Sequence, residues 1–364
     1  MDALTAVYFV VGIAALVAGA EALVRGAARL AARTGMSSVV IGLTVVAFGT
    51  SAPELAVSLG AAWRDEADLA VGNVVGSNIA NVLLVLGVSA AVGGALVVAQ
   101  RIVRVDVPIM LGVSVLVFVF ALDGSLQRWE GALFVVLLVV YLVWTVRAAR
   151  RGGGTADMEL PDAIHDTDHS SALADIGFVV AGLVLLVVGS TSLVEAATDI
   201  AESLGVSDLV IGLTVVAVGT SLPEMATSVL AAIRGERDLA VGNAVGSNLF
   251  NILTVLGLTA LVSPSSIPIP DGALTLDLPV MIAVAIACLP IFANGFSLER
   301  WEGLFFLAYY GAYITWLVLD SSDHQFSNQY AVALLGFVLP ISMVTFAVIA
   351  VRQRRRRAAM ASSR

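Results

Sequence analysis

The sequence predicts an all-α integral membrane protein, built as an inverted repeat of two five-helix units with one additional C-terminal transmembrane helix. Its composition, its apolar spans and a duplicated segment lead to this prediction. Of the 364 residues, 59% are hydrophobic and 13% are charged, whereas soluble domains are about 45–50% apolar and about 25% charged. Because so few charged residues cannot cover a water-facing surface of this size, an ordinary soluble enzyme is excluded.

Eleven apolar segments are long enough to cross a hydrocarbon core about 30 Å thick. Each is expected to be helical, because unpaired backbone groups are costly in lipid. The N-terminus carries Asp2 where a signal peptide has positive charge, so the first segment is expected to be retained as a span. The approximate cores of the spans are residues 4–20, 39–61, 69–99, 107–122, 131–146, 176–194, 209–233, 239–262, 278–293, 303–319 and 331–351.

The distribution of arginine predicts the orientation. With an external N-terminus, seventeen of the 19 basic residues lie on one side of the membrane and only Arg64 and Arg128 on the other. Because basic residues accumulate on the cytoplasmic side, we expect a multi-pass protein of the plasma or inner membrane with an external N-terminus and a cytoplasmic C-terminus. The net charge of −9 disfavours a nucleic-acid partner, and no obligatory protein partner is indicated.

Residues 150–172 interrupt the apolar pattern with a Gly-rich and then acidic run, which predicts a flexible cytoplasmic linker. A divalent metal is conceivable there, but the spacing of a structural metal site is absent and a solvated linker is favoured. The predicted units are therefore 1–149, the linker 150–172, 173–320, and 321–364 with the extra helix and a basic tail. The candidate metal ligands considered in the linker are Asp162, His165, Asp166, Asp168 and His169.

Two segments of the chain are near copies of each other. Residues 49–87 and 219–257 align without gaps at an offset of 170, with 26 of 39 positions identical. Because each unit contains five spans, an odd number, the second unit crosses the membrane in the opposite sense to the first. In transporters, such inverted repeats place the substrate site near the midplane, where the two halves meet.

Glu54 and Glu224 are the only charged residues within the eleven span cores, and they are repeat equivalents. An acidic residue near the bilayer centre costs at least about 2.5–3.5 kcal/mol and is a candidate functional group. The structural alternative is that each glutamate caps a broken helix. The symmetry of the pair favours a shared binding site.

Two repeated motifs surround these glutamates. In GTSAPE and GTSLPE a proline directly precedes the glutamate, which predicts a helix bend there and free backbone carbonyls nearby, most plausibly those of Ala47 and Ala217. In GNVVGSNIAN and GNAVGSNLFN, polar residues recur every four positions and form one stripe on a helix. These motifs contain Thr50, Ser51, Thr220 and Ser221, and then Asn73, Ser77, Asn81, Asn243, Ser247 and Asn251.

The chemistry of these side chains favours a hard cation. Carboxylate, hydroxyl, amide and carbonyl oxygens, without thiolate or imidazole in the stripe, select Ca²⁺ or Na⁺ over zinc or copper. Two carboxylates balance one Ca²⁺ or two Na⁺, and their mutual repulsion also favours protonation in competition with the metal. The chain has neither an HExxH helix nor a Gly-x-Ser-x-Gly elbow. We therefore expect no enzyme activity and no cofactor beyond the transported ions.

The paired GTSxPE and GNxxGSN segments resemble the alpha repeats of the calcium/cation antiporter superfamily, nearest its sodium/calcium exchanger branch, with alpha motifs at 37–87 and 207–257. The resemblance covers spans 1–10 and implies a ten-helix antiporter core with metal sites between spans 2, 3, 7 and 8. It also implies Ca²⁺ extrusion driven by entering Na⁺. Several family members have an aspartate at one of the two positions held here by Asn81 and Asn251.

Residue by residue, the resemblance implies a calcium site surrounded by Thr50, Glu54, Thr220 and Glu224. It also implies flanking sodium sites at Ser77 and Ser247 with the Ala47 and Ala217 carbonyls, support from Ser51 and Ser221, and Asn81 and Asn251 in the middle.

The expected function is secondary antiport of Na⁺ against Ca²⁺ by alternating access around the two-glutamate site. The alternative is H⁺/Ca²⁺ antiport, because paired glutamates can carry protons. A channel belongs to a different class and would need a continuous pore.

Overall fold

The structure is a computed structural model that describes residues 3–64, 67–151, 171–203 and 217–321. Within these residues, eight helices are long and apolar enough to cross a membrane, or nine if one bent helix pair is counted as a span. The eight helices correspond to predicted spans 1, 3–6 and 8–10, and the bent pair corresponds to span 2. Of span 7, only the part from residue 217 is described. Predicted span 11, the basic tail and most of the 150–172 linker lie outside the described residues.

The first half of the chain contains eight α-helical segments. The run from α5 to α6 is continuous through a π-helical turn, and so is the run from α2 to α3. The segments are α1 (Ala3–Thr34), α2 (Ser38–Ile41), α3 (Ala47–Thr50), α4 (Ala52–Trp63), α5 (Ala67–Ala80), α6 (Gly87–Gly93), α7 (Val107–Ala121) and α8 (Arg128–Arg151).

The described second half repeats this succession of segments. Its helices are α9 (Ala172–Ser203), α10 (Ala217–Thr220), α11 (Leu222–Ile233), α12 (Arg237–Phe250), α13 (Gly257–Val262), α14 (Leu278–Ala293) and α15 (Arg300–Ser321).

Within the described residues, five π-helical turns interrupt the helices, and four of them occur in matching places of the two halves. Turns of this kind often mark functional positions, because one extra residue shifts the helix face. The turns span Gly42–Val46, Asn81–Leu86, Ile102–Asp106, Asn251–Leu256 and Ala273–Asp277.

The two longest helices, α1 and α9, pack against each other along their length. A Cβ atom on Gly19 would lie 2.8 Å from Leu186 N, and one on Gly182 would lie 2.6 Å from Leu23 N. Glycine therefore permits a backbone approach that any larger residue would prevent. α1 continues to Thr34, well beyond its predicted apolar core of 4–20.

Two short antiparallel sheets join the halves. β1 (Leu96–Val97) pairs with β4 (Ser297–Leu298), and β2 (Ser125–Leu126) pairs with β3 (Ile267–Pro268). The sequence prediction was wrong here, because it extended span 3 to residue 99. The helix ends at Gly93, and Gly94 then adopts a φ of 87°, which glycine tolerates better than other residues.

The centre of the molecule is formed by the third and eighth predicted spans. In α12 every residue from Leu239 to Phe250 is buried, and the π turn that follows is buried as well. The outer helices α1, α8 and α9 instead expose rows of valine, leucine and phenylalanine, as lipid-facing helices do. The GNxxGSN motif of α12 therefore lies at the core of the fold, and the part of its equivalent from Ser77 to Asn81 is buried as well.

Candidate cation-binding site

Both repeats break a helix at the serine of the GTSxPE motif. The helical run Ser38–Thr50 and α4 are bent by 41° at Ser51. Ser51 has φ −83° and ψ 7°, and Ser221 has nearly the same angles between α10 and α11. Each proline lies in the first turn of the new helix, where its missing N–H costs no hydrogen bond. The bend predicted just before Glu54 is therefore confirmed.

The carbonyl at the first break differs from the expectation. Ala47 O accepts a hydrogen bond from Ser51 N at 3.0 Å, and Thr50 Oγ1 lies 3.4 Å from the same oxygen. The helix therefore keeps this carbonyl paired, although the sequence suggested that the kink would free it. In the second half, Ser221 N donates to Val218 O at 3.1 Å.

The two glutamates are fully buried, at 0% exposure each, and Ser51, three residues before Glu54, contacts Glu224. Among the described residues, neither carboxylate oxygen of Glu54 has a hydrogen-bond partner. Glu224 Oε1 accepts from Ser51 Oγ at 3.3 Å and from Ser247 Oγ at 3.4 Å, whereas Glu224 Oε2 is unpartnered. Glu54 thus does not cap the start of α4, which argues against the structural alternative.

Hydroxyl groups from the two halves meet around the carboxylates. Thr50 Oγ1 lies 3.4 Å from Ser247 Oγ, and its repeat equivalent Thr220 Oγ1 lies 3.4 Å from Ser77 Oγ. Thr50 Oγ1 also donates to Asn243 Oδ1 at 3.2 Å. The threonine of each GTSxPE motif therefore faces the serine of the opposite half's GNxxGSN motif.

The first asparagine of each stripe supports the backbone of a glutamate. Asn73 Nδ2 donates to Glu54 O at 3.1 Å and to Ser58 Oγ at 3.0 Å. Asn243 Nδ2 donates to Glu224 O at 3.3 Å and to Ser228 Oγ at 3.0 Å. These amides fix the main chain that carries the carboxylates.

Asn81 and Asn251 begin the two central π turns and are completely buried. Their side-chain oxygens and nitrogens have no hydrogen-bond partner among the described residues, and neither has the buried hydroxyl of Ser221. Buried polar atoms are normally paired. These unpaired atoms belong to residues of the same two motifs as the glutamates, as expected of a polar binding site.

Sequence reasoning missed Asn78 and Asn248, the third residue of each GSN. Asn78 Nδ2 donates to Asn248 O at 3.3 Å, and Asn248 Nδ2 donates to Asn78 O at 3.2 Å. Their exact repetition at an offset of 170 was a signal for them, but they lie off the four-residue stripe on which the prediction relied.

The arrangement suits a hard cation. Within the described part of the chain, three of the four carboxylate oxygens have no hydrogen-bond partner, and hydroxyl and amide groups belong to the same two motifs. Ca²⁺ takes six to eight oxygens at about 2.3–2.6 Å and accepts irregular geometry. In the described part of the chain, no group of three or more His, Cys, Asp or Glu residues is placed to hold a metal. The oxygen donors of the candidate site are therefore two carboxylates together with neutral hydroxyl, amide and carbonyl groups.

A multi-pass helical protein with broken helices and buried acids at its centre has the construction of a secondary transporter. The sequence profile of the family described as "Sodium/calcium exchanger protein" matches residues 4–147 and 175–319. The chain belongs to this family, whose members are transporters and not enzymes.

Similarity to individual proteins agrees with the family assignment. The putative antiporter CaxA of Alkalimonas amylolytica is 40% identical over 290 residues, which cover 78% of this chain and 88% of CaxA. The sodium/calcium exchanger MaX1 of Methanosarcina acetivorans is 35% identical over 315 residues, which cover 78% of this chain and 89% of MaX1. Among solved structures, the sodium-calcium exchanger NCX_Mj matches with a TM-score of 0.73 and 30% identity over 86% of this chain and 99% of its own.

Proposed function

We propose that this protein exchanges Na⁺ for Ca²⁺ by alternating access around a midplane site that contains Glu54 and Glu224. The observation that carries the proposal is the pair of buried carboxylates, three of whose four oxygens have no hydrogen-bond partner among the residues that the structure describes. A bound cation supplies the charge and the coordination that these oxygens lack. The printed name of MaX1 as a sodium/calcium exchanger supports the choice of ions.

In the proposed site, Thr50, Glu54, Thr220 and Glu224 surround Ca²⁺. Ser77 and Ser247 serve the flanking Na⁺ ions, together with carbonyl oxygens at the two breaks, those of Ala47 and Ala217. The second lone pair of Ala47 O is the one for this role. Ser51 N occupies the first, and the single hydroxyl proton of Thr50 goes to the nearer Asn243 Oδ1. Ser51 and Ser221 support the carboxylates, and Asn81 and Asn251 complete the middle of the site.

The coupling of the two fluxes follows from electrostatics. Without a cation, two carboxylates repel each other in a medium of low dielectric constant, and each buried charge also loses its hydration. An empty site is therefore stable only while water reaches it from one side. Reorientation is favoured after Ca²⁺ or Na⁺ has loaded the site, and this requirement makes the transport an exchange.

The symmetry of the contacts supports an inverted repeat. Thr50 with Ser247 and Thr220 with Ser77 form one pair of equivalent contacts. The sheets β1–β4 and β2–β3 form a second pair, each joining one half to the other. With the arginine-rich ends in the cytoplasm, one half would run outward where the other runs inward.

Ion flux into vesicles tests the proposal. Proteoliposomes loaded with Na⁺ and diluted into Na⁺-free buffer should take up Ca²⁺, and both Glu54→Gln and Glu224→Gln should abolish the uptake. Glu130→Gln is the matched control. Glu130 is also a buried side chain, but its Oε2 caps the start of α8 by accepting from Gln127 N at 2.8 Å, so uptake should persist. Uptake that survives both site substitutions would overturn the assignment of the site.

H⁺/Ca²⁺ antiport is the second candidate, favoured by the absence of any protein donor to Glu54 among the described residues. Two protons neutralise the pair as completely as one Ca²⁺ does. Uptake of Ca²⁺ driven by a pH gradient with Na⁺ absent from both sides would establish this alternative, and strict dependence on internal Na⁺ would exclude it.

A further inference from the structure

Glu21 on α1 is bound by two arginines through a single oxygen atom. Arg25, one turn later on α1, donates through Nε to Glu21 Oε1, and Arg234 at the C-terminal end of α11 donates through Nη2 to the same atom at 2.7 Å. Because both donors contact one atom, the two nitrogens lie within about 5 Å of each other. Two helices that are distant in sequence thus present a paired guanidinium group.

The paired arginines carry more positive charge than Glu21 neutralises. Their side chains are 55% and 52% exposed, and the trio has a net charge of +1. A guanidinium has five N–H donors in a planar fork that matches phosphate geometry. The neighbouring Arg29 and Arg33 on α1 are directed at the buried Asp175 of α9, and they raise the local charge to +2.

The trio lies at the height where lipid headgroups are expected. The uncharged run of α1 ends at Ala20, directly before Glu21, and Arg234 directly follows the apolar helix Leu222–Ile233. Arginines at the ends of spans typically occupy the interface. Phosphate groups of phospholipids lie at the same level, and a basic group between helices there attracts anionic lipid.

The arrangement occurs in only one half of the described chain. The glycines at the contact between α1 and α9 follow the repeat offset of 170 residues. Gly12 corresponds to Gly182, and Gly19 corresponds to Gly189. At this offset the position equivalent to Glu21 is Thr191, and the position equivalent to Arg25 is Glu195. An anion would therefore meet a carboxylate in the other half, so the basic pair is specific to one membrane face.

We propose that Arg25 and Arg234 bind the phosphate of an anionic phospholipid, with Glu21 as the internal competitor. The bound lipid joins α1 to α11, the helix that carries Glu224 in its first turn. This site is separate from the cation site, and the proposal does not depend on which ions are exchanged.

Native mass spectrometry of the detergent-solubilised protein, titrated with phosphatidylglycerol, tests the proposal. Arg25→Gln and Arg234→Gln should each weaken phosphatidylglycerol binding roughly fivefold. The matched control is Arg64→Gln, because Arg64 ends α4 as Arg234 ends α11 and should leave the affinity unchanged. An equal loss in all three variants, or no loss in Arg234→Gln, would overturn the site.

Two further measurements distinguish loss of the lipid site from misfolding of the variants, and a lipid ligand from free phosphate. Glu21→Gln removes the competing carboxylate and should raise the affinity for phosphatidylglycerol roughly fivefold, whereas no change or a loss contradicts the proposal. Inorganic phosphate at an equal concentration should not displace the lipid. Displacement would instead indicate a site for free phosphate and would overturn the assignment to a lipid.

Discussion

Asn78 and Asn248 each donate to the backbone carbonyl of the other, at 3.3 Å and 3.2 Å. The two residues are repeat equivalents, so this reciprocal pair lies where the halves of the molecule meet. Each amide also contacts a methionine sulfur of the opposite half, Asn78 that of Met281 and Asn248 that of Met110. The pair fastens α5 to α12 directly beside Ser77 and Ser247.

Removing either amide should loosen this junction. Asn78→Ala and Asn248→Ala should each lower the free energy of unfolding by about 1–3 kcal/mol, because a buried acceptor loses its donor. The two bonds form one junction, so the double variant should lose less than the sum of the single losses, by about 1 kcal/mol. Denaturation of the detergent-solubilised protein measures all three values, and strictly additive losses would show that the two bonds act independently.

The sequence predicted the spans that the structure describes and singled out the two buried acids, because both depend on strong local signals. A helix that crosses the lipid core needs a long run of apolar residues. Acidic residues are costly inside such a run, so Glu54 and Glu224 stand out as candidate functional groups. The bend at Ser51 was also predictable from local sequence, because Pro53 lacks a backbone N–H and cannot lie inside a regular helix without disrupting it. These features follow from the chain's own chemistry without knowledge of its neighbours.

The features that the sequence did not predict depend on contacts between distant segments. The two-residue strands, such as Leu96–Val97, are stabilised only by partners from the other half. The hydrogen bond from Ser51 N to Ala47 O depends on how the broken helix packs against the neighbouring helices. In the sequence, Asn78 is one of several small polar residues in a membrane helix. Its contact with Asn248 depends on the packing of α5 against α12.

Gly19 and Gly182 should prove essential to the pairing of α1 with α9. In Gly19→Val a Cβ would lie 2.8 Å from Leu186 N, a backbone atom that cannot move alone. We expect the free energy of unfolding to fall by about 1–3 kcal/mol from overpacking. Gly177→Val on the partner helix α9 is the control, because a Cβ there meets no atom within 4 Å. An equal loss in both variants would argue against close packing as the cause.

Calcium should stabilise the folded protein through the two carboxylates. A ligand at 100 times its dissociation constant adds about 2.7 kcal/mol to the free energy of unfolding. Thermal unfolding with and without Ca²⁺ should show this shift for the wild type and for Glu130→Gln, whereas Glu54→Gln should show none. A Ca²⁺ shift that persists in Glu54→Gln would place the ion elsewhere.

The two glutamates should differ when no divalent cation is present. Both carboxylates are buried, but Glu224 Oε1 accepts from two serines and Glu54 accepts from no side chain among the described residues. Glu54→Gln therefore removes an uncompensated charge, whereas Glu224→Gln also weakens hydrogen bonds to a charged acceptor, which contribute about 1.5–3 kcal/mol each. In a chelator, without added Na⁺, Glu54→Gln should raise the unfolding temperature more than Glu224→Gln does. The reverse order would mean that Glu54, and not Glu224, has the better protein partners when the site holds no divalent cation.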